Sequence, residues 1–249
     1  MKAHSRIASI VAALVVAAAP AAARAEVKLP ALFSDHMVLE RGAVVPVWGW
    51  AAPDENVTVS VAGQQQSTKA GADGKWQARI QPPPAGGPYT IEIAGRQQTV
   101  ELHEVLVGDV WICAGQSNMQ FGLGQARNGA EEIKNANYPD IRYYVVGERV
   151  SYSPVNVPRG SWRVVSPATL GSRGGGISAA AYFFARKVRE SVHVPIGLVQ
   201  EAVGGVPAET FTSIDALRPL QDFDRAHRGF RTPAADGRQG VWQLHHALV

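Results

Sequence analysis

The chain has 249 residues, of which 46% are hydrophobic and 18% charged. This composition excludes an intrinsically disordered protein, and the length suits one large domain or two modest ones. The formal net charge of +3 comes from the two ends, because the first 25 residues hold three bases and no acid, and the last 25 hold four arginines and one aspartate. The body between them therefore gives no electrostatic reason to expect binding to nucleic acid or to an anionic membrane.

The first 25 residues have the organisation of an export signal. Lys2 and Arg6 form a positive start, residues 7–19 are apolar apart from Ser9, and Ala23-Arg24-Ala25 supplies a small-x-small cleavage site. The apolar run is shorter than the roughly 20 residues that span a bilayer, which disfavours a membrane anchor. We expect cleavage after Ala25 and a periplasmic or secreted protein that no longer contacts the membrane.

Cys113 is the only cysteine, so an intrachain disulfide is excluded and stability has to come from a hydrophobic core. It lies in an apolar run, which predicts a buried and unreactive thiol rather than a nucleophile.

Residues 26–104 alternate short β-type runs with turn residues. The runs recur about every ten residues, and the separators are rich in Pro, Gly and Asp. This pattern predicts an antiparallel β-sandwich domain over residues 26–104. Trp48, Trp50 and Trp76 lie in these runs; we expect core packing for them, with carbohydrate binding as the alternative.

The pattern changes near residue 105. Residues 105–114 are almost continuously apolar, which predicts a strand covered on both faces. A helix is expected from Met119 to about Ala136, a strand at 141–146, a helix at 177–192 and a strand at 194–203. Alternating strands and helices predict an α/β layer with parallel strands, which we place at residues 105–222.

Ser117 is the main candidate for chemistry. It follows the apolar strand and begins a helix, so it is expected at the carboxyl edge of the parallel sheet, where ligands bind. Free backbone N–H groups of a helix start could also face a developing oxyanion there. The Gly-x-Ser pattern alone proves little, because serine is a common helix N-cap.

Five motifs in order give a resemblance to a known family. The chain resembles the sialate O-acetylesterases, exported carbohydrate esterases of the SGNH hydrolase superfamily. The resemblance covers about residues 27–222 and is carried by Leu32-Phe33-Ser34-Asp35-His36-Met37-Val38-Leu39, Val47-Trp48-Gly49-Trp50, Gly86-Gly87-Pro88-Tyr89-Thr90, Gly108-Asp109-Val110-Trp111 with Gly115-Gln116-Ser117-Asn118-Met119, and Gly204-Gly205-Val206-Pro207-Ala208-Glu209.

This resemblance implies a three-layer α/β SGNH domain after the β-sandwich, and hydrolysis of acetyl esters on a sugar or glycan. It implies that Ser117 is the nucleophile and that the backbone N–H groups of Ser117 and Gly205 contribute to the oxyanion hole. Gly204 is expected only to permit the tight turn. No metal or organic cofactor is implied.

The family also uses an Asp-x-x-His motif and an asparagine segment, and neither has a convincing counterpart here. Asp224 and His227 have the right spacing but come too soon after Gly205 for the remaining strands and helices. Residues 34–36 are too close in sequence to form a triad, and His245-His246 lacks a matching acid. We expect the incomplete domain to end in an atypical tail, residues 223–249, produced by a frameshift or early stop, which the gene's DNA sequence would test.

Two alternatives to a sialate O-acetylesterase stay open. One is an acetylxylan esterase-like enzyme, because no residue chooses between acetylated sialic acid and acetylated plant polysaccharide. The other is a catalytically inactive sugar-binding fragment that uses Trp48 or Trp50. The sequence gives no oligomeric state.

Overall fold

The computed structural model describes residues 26–147, 159–171 and 176–207, together with 211, 212, 216 and 219. The predicted signal peptide, the tail at 223–249 and its histidines lie outside the described residues. The described elements are β1 (Val38–Glu40), β2 (Val45–Trp50), β3 (Asn56–Val61), β4 (Gln64–Lys69), β5 (Lys75–Ile80), β6 (Gly86–Ala94), β7 (Thr99–Gly115), α1 (Ser117–Gln120), a 3-10 helix (Leu123–Gln125), α2 (Gly129–Asn135), β8 (Tyr138–Val145), β9 (Trp162–Val165), α3 (Pro167–Leu170), α4 (Ala179–Val192) and β10 (Ile196–Ala202).

Strand β7 is 17 residues long and belongs to both parts of the fold. Its first half pairs antiparallel with β6, and its second half pairs parallel with β10. The result is one mixed sheet in the order β4-β3-β6-β7-β10-β8-β9, with β1 paired parallel to the middle of β7.

The sequence change near residue 105 corresponds to a bulge inside β7, not to a linker. Tyr89 pairs with Val105 while Ile91 pairs with Leu102, so β7 holds one extra residue between these pairs. Glu104 lies there with a φ of 56°. The predicted boundary after Glu104 therefore falls within a continuous strand.

β2, β3 and β5 bury every second residue, as an antiparallel sheet with one covered face requires, whereas β4 is mostly exposed. β2 and β5 form a separate antiparallel pair, and β3, β4 and β6 join the first half of β7. Val47 and Trp76 from the small pair share one hydrophobic core with Val59 and Ile93 from the large sheet. The antiparallel strands agree with the sequence analysis, while the complete β-sandwich stays a prediction. Trp48 and Trp50 are only half-buried, unlike Trp76.

The second part is a sheet with helices, as the sequence analysis expected. β7, β10 and β8 run parallel, and β9 closes the edge antiparallel. A second core joins Cys113, Tyr143 and Leu198 of the sheet to Tyr182 of α4, and residues of the other described helices pack into the same core. The three-layer arrangement stays a prediction. No helix of the described residues is both long and apolar enough to cross a membrane.

The single helix expected from Met119 to Ala136 is wrong. The structure has α1, the 3-10 helix and α2 in its place. The backbone turns instead toward the segment before α4, since the Leu123 N–H donates to the Ile177 carbonyl and the Ala179 N–H to the Phe121 carbonyl. Glycines make the breaks possible; a Cβ on Gly129 would lie 2.1 Å from the carbonyl oxygen of Leu123.

The expectation that residues 105–114 form a strand covered on both faces is half wrong. Residues 105–107 are buried, but Trp111 is 42% and Ile112 56% exposed. The Asp109 N–H donates to the Pro195 carbonyl, so alternate backbone groups from Asp109 onward face β10. The backbone N–H and C=O groups of Val110, Ile112 and Ala114 point away from β10, to the other edge of β7. This edge has no strand neighbour among the described residues, because β1 ends beside Gly108.

Candidate active site

Ser117 lies at the carboxyl edge of the parallel strands, as predicted. β7 ends at Gly115, which pairs with Ala202 at the end of β10. The Val203 N–H donates to the Gly115 carbonyl at 3.1 Å, so the two chain segments leave the sheet side by side. Ser117 is the first residue of α1 and is exposed. An exposed hydroxyl at this edge is accessible to a substrate.

The loop after β10 packs directly against Ser117. A Cβ on Gly204 would lie 3.5 Å from the Ser117 Cβ and 2.8 Å from Gln120 Oε1. Gly205 has a φ of 80° with open space where a Cβ would be. The two glycines therefore have different roles: the missing Cβ of Gly204 leaves room for the Gln120 side-chain oxygen, and Gly205 permits a left-handed turn that L-residues rarely adopt.

Two glutamine side chains hold the loop after β10 against the Ser117 segment. Gln120 Oε1 accepts the Gly204 N–H at 2.8 Å, and Gln116 Nε2 donates to the Val206 carbonyl at 2.6 Å. Both neighbours of Gly205 are thus hydrogen-bonded to the Ser117 segment. Sequence reasoning missed both glutamines, because their partners lie 84 and 90 residues away.

Ser178 connects α4 to the candidate site and was also missed. Its Oγ accepts the Ala181 N–H at 3.2 Å as an N-cap and donates to Met119 Sδ at 3.3 Å. Its backbone N–H donates to Gln200 Oε1 of β10 at 2.7 Å. The side chain is completely buried, so it joins α4, α1 and β10 at one point behind Ser117.

No histidine of the described residues contacts Ser117. His193 ends α4 with a φ of 53°, at the opposite end of β10 from Gly204. His103 pairs with Glu101 at 3.5 Å and lies on β7. From His103 to the end of β7 is on the order of 40 Å at the usual rise per residue.

The Ser34-Asp35-His36 sequence has structural contacts, as a turn would. Asp35 Oδ1 accepts the His103 N–H at 2.7 Å, and His36 Nδ1 lies 2.9 Å from Nη1 of the buried Arg142. The predicted decoys Asp224 and His227, and the pair His245-His246, lie outside the described residues.

The described residues contain no group of three His, Cys, Asp or Glu side chains able to hold a metal ion. Cys113, four residues before Ser117, is buried as predicted. Burial raises the pKa of its thiol, which disfavours the reactive thiolate. Ser117 is therefore the candidate nucleophile of this edge.

A family model described as "Carbohydrate esterase, sialic acid-specific acetylesterase" matches residues 107–221. The sialate O-acetylesterase of Rattus norvegicus is 33% identical over 208 residues, covering 74% of this chain, and that of Homo sapiens is 32% identical over 213 residues, also covering 74%. Over these residues the chain is similar to this carbohydrate esterase family. It spans 37% and 38% of the length of these two curated relatives.

A solved carbohydrate acetylesterase from Xanthomonas citri is similar in fold to most of this chain. The TM-score is 0.72 and the sequence identity 35%, over 80% of this chain and 45% of the other. The likeness supports an SGNH-like α/β arrangement for the mixed sheet and its helices.

Proposed function

We propose that the protein is a carbohydrate O-acetylesterase in which Ser117 Oγ attacks the acetyl carbonyl carbon of a sugar ester. The observation that carries the proposal is the packing of the Gly204-Gly205 loop against Ser117 at the open edge of the sheet. The backbone N–H groups of Ser117 and Gly205 would donate to the oxyanion that develops on the acetyl oxygen. Similarity to the carbohydrate esterase family supports this chemistry.

The reaction needs a base in addition to these groups. A histidine would take the proton from Ser117 Oγ and return it to the sugar oxygen, which leaves as the acetyl-enzyme forms. Water would then release acetate by the same route. This base and its carboxylate come from the family resemblance alone: the sequence offers no convincing counterpart for them, and the described histidines lie elsewhere.

The proposed substrate is an acetylated sugar or glycan. O-acetylated sialic acid is favoured by the names of the relatives, and acetylated xylan is the alternative. Export to the periplasm or outside the cell, after cleavage at Ala25, belongs to the same proposal and depends on residues 1–25.

The test is hydrolysis of 4-nitrophenyl acetate and of O-acetylated sialic acid by the 249-residue chain. Loss of one triad member typically lowers kcat by about 10⁴- to 10⁶-fold, so we expect little turnover. Imidazole added to the solution can replace a missing histidine at an exposed serine, and we expect it to raise acetate release. Imidazole also hydrolyses 4-nitrophenyl acetate by itself, so the rate in imidazole without protein is subtracted, and Ser117→Ala is expected to remove the remaining imidazole-dependent part.

Ser67→Ala is the matched control, since Ser67 is an exposed serine on β4 and should leave the rate unchanged. Equal imidazole-dependent rates with and without the Ser117 hydroxyl would overturn the proposed nucleophile. Hydrolysis that needs Ser117 but no imidazole would support the nucleophile and contradict the missing base. If His227→Ala then abolished this imidazole-independent hydrolysis, His227 in the tail would be the base.

A further inference from the structure

A large cleft lies apart from Ser117, where the β2–β5 pair meets the mixed sheet. Its volume is about 760 Å³, within the range of small-molecule sites. β2 and β5 contribute three tryptophans to its lining, and β7 and β10 contribute Ile112 and Val199. Ile112 precedes Ser117 by five residues, which places this part of the lining about 16 Å from the candidate nucleophile along an extended chain.

One wall of the cleft combines indole rings with polar side chains. Trp48 pairs with Gln77 and Trp50 with Lys75 across the β2–β5 ladder. Residues directly opposite in an antiparallel pair project from the same face, so these four side chains share one face. Gln77 and Lys75 are exposed, and the two tryptophans are half-buried.

The aromatic rings of this wall pack against one another. Trp48 lies edge-to-face against Trp50, with ring centroids 5.6 Å apart, and against Phe33 at 5.9 Å. Such contacts stabilise the rings in fixed positions, so little side-chain freedom is left to lose when a ligand binds. A rigid aromatic surface is a feature of binding sites rather than of an ordinary exposed strand.

Hydrogen-bonding groups of the wall are available to a ligand. The side-chain amide of Gln77 has no hydrogen-bond partner among the described residues, and Lys75 Nζ is 3.1 Å from Asp73. Trp76 lies between these two residues on β5 and projects from the opposite face, where it is buried in the core that it shares with Val47.

We propose that this cleft binds a saccharide unit, at a site separate from Ser117. A sugar ring has an apolar C–H face that packs on an indole and a rim of hydroxyl groups that bond to amide and ammonium groups. The wall of Trp48, Trp50, Gln77 and Lys75 offers this combination on one sheet face. The proposal does not depend on esterase activity, because it concerns binding and not hydrolysis.

The test is isothermal titration calorimetry of the 249-residue chain with unacetylated xylotriose and with sialyllactose. We expect saturable binding of at least one of them, unchanged in Ser117→Ala. Gln77→Ala is expected to weaken binding by about three- to tenfold, the usual effect of one hydrogen bond. Trp50→Ala is expected to weaken it by about tenfold or more, because a stacking surface is lost.

Gln65→Ala is the control for Gln77→Ala, since Gln65 is an exposed glutamine on β4 outside the cleft lining. Melting curves and circular dichroism would show that the variants are folded. The proposal is overturned by absence of saturable binding up to on the order of 10 mM. It is overturned equally by unchanged affinity in folded Gln77→Ala and Trp50→Ala.

Discussion

At the scale of single residues, the candidate site depends on two glycines with different roles. Gly204 lies beside Ser117 and leaves room for the Gln120 side-chain oxygen, and Gly205 adopts a φ of 80°. The sequence already indicated both, because a Gly-Gly pair directly after an apolar strand predicts a tight turn at the sheet edge. It could not indicate which glycine touches Ser117, because that follows from the packing of β7 against β10.

Gly205→Ala tests whether this backbone geometry serves the chemistry. Alanine at this φ costs roughly 1–2 kcal/mol, and relief of the strain would turn the neighbouring N–H away from the oxyanion. We expect imidazole-dependent acetyl hydrolysis by the chain to fall by about tenfold or more. The measurement is the initial rate together with the melting temperature.

The matched control is Gly63→Ala, because Gly63 has a φ of 79° in the turn between β3 and β4. Gly63→Ala introduces the same backbone strain at a position 54 residues before Ser117 in the sequence. Both variants should lose similar stability, and only Gly205→Ala should lose rate. Equal losses of rate in the two variants would contradict a role for Gly205 beyond stability.

At the scale of elements, the sequence predicted local patterns well and long-range neighbours poorly. α4 was expected at 177–192 and runs from Ala179 to Val192, because its apolar spacing is strong. The helix expected after Met119 failed because Leu123 and Phe121 bond to the segment before α4, more than 50 residues away. Such partners leave no periodic signal in the local sequence.

Ser178→Ala tests the junction of α4, α1 and β10. Loss of the N-cap is expected to lower the free energy of unfolding by about 1 kcal/mol, measured by urea denaturation. Loss of the hydroxyl beside Met119 Sδ should also shift α1, so we expect slower imidazole-dependent hydrolysis.

Ser166→Ala provides the comparison, because Ser166 Oγ accepts the Thr169 N–H at 3.3 Å as the N-cap of α3. It should lose comparable stability and keep the hydrolysis rate. If Ser178→Ala kept the rate as well, Ser178 would have a structural role only.

At the scale of the whole molecule, the open edge of β7 is the part of the sheet most prone to pairing with another chain. Backbone groups of Val110, Ile112 and Ala114 face this edge, and the Val110 N–H is bonded by Glu40 Oε2 at 2.8 Å. No charged side chain lies between Val110 and Ala114, and Ile112 is 56% exposed. Exposed apolar strand edges pair with other chains.

Ile112→Lys is expected to reduce concentration-dependent self-association of the chain, measured by light scattering after size-exclusion chromatography. A lysine on a strand edge is costly to bury between two copies, so it opposes edge-to-edge pairing. Gln65→Lys adds the same charge on β4, a terminal strand of the sheet three positions from β7, and should leave association unchanged. Identical association of Ile112→Lys and the unmodified chain would show that copies meet elsewhere.

Because β7 passes through both halves of the sheet, the chain cannot be divided between them without breaking contacts of this strand. A cut at the bulge near Glu104 would separate β1 and the start of β6 from their partners in β7, which lie at residues 105–108. β6 would keep its pairing with residues 99–102, and β10 its pairing with residues 109–115. Recombination that exchanges one half alone would break the same contacts. The two halves are therefore coupled through the contacts of β1 and β6 across the bulge, although their sequence patterns differ.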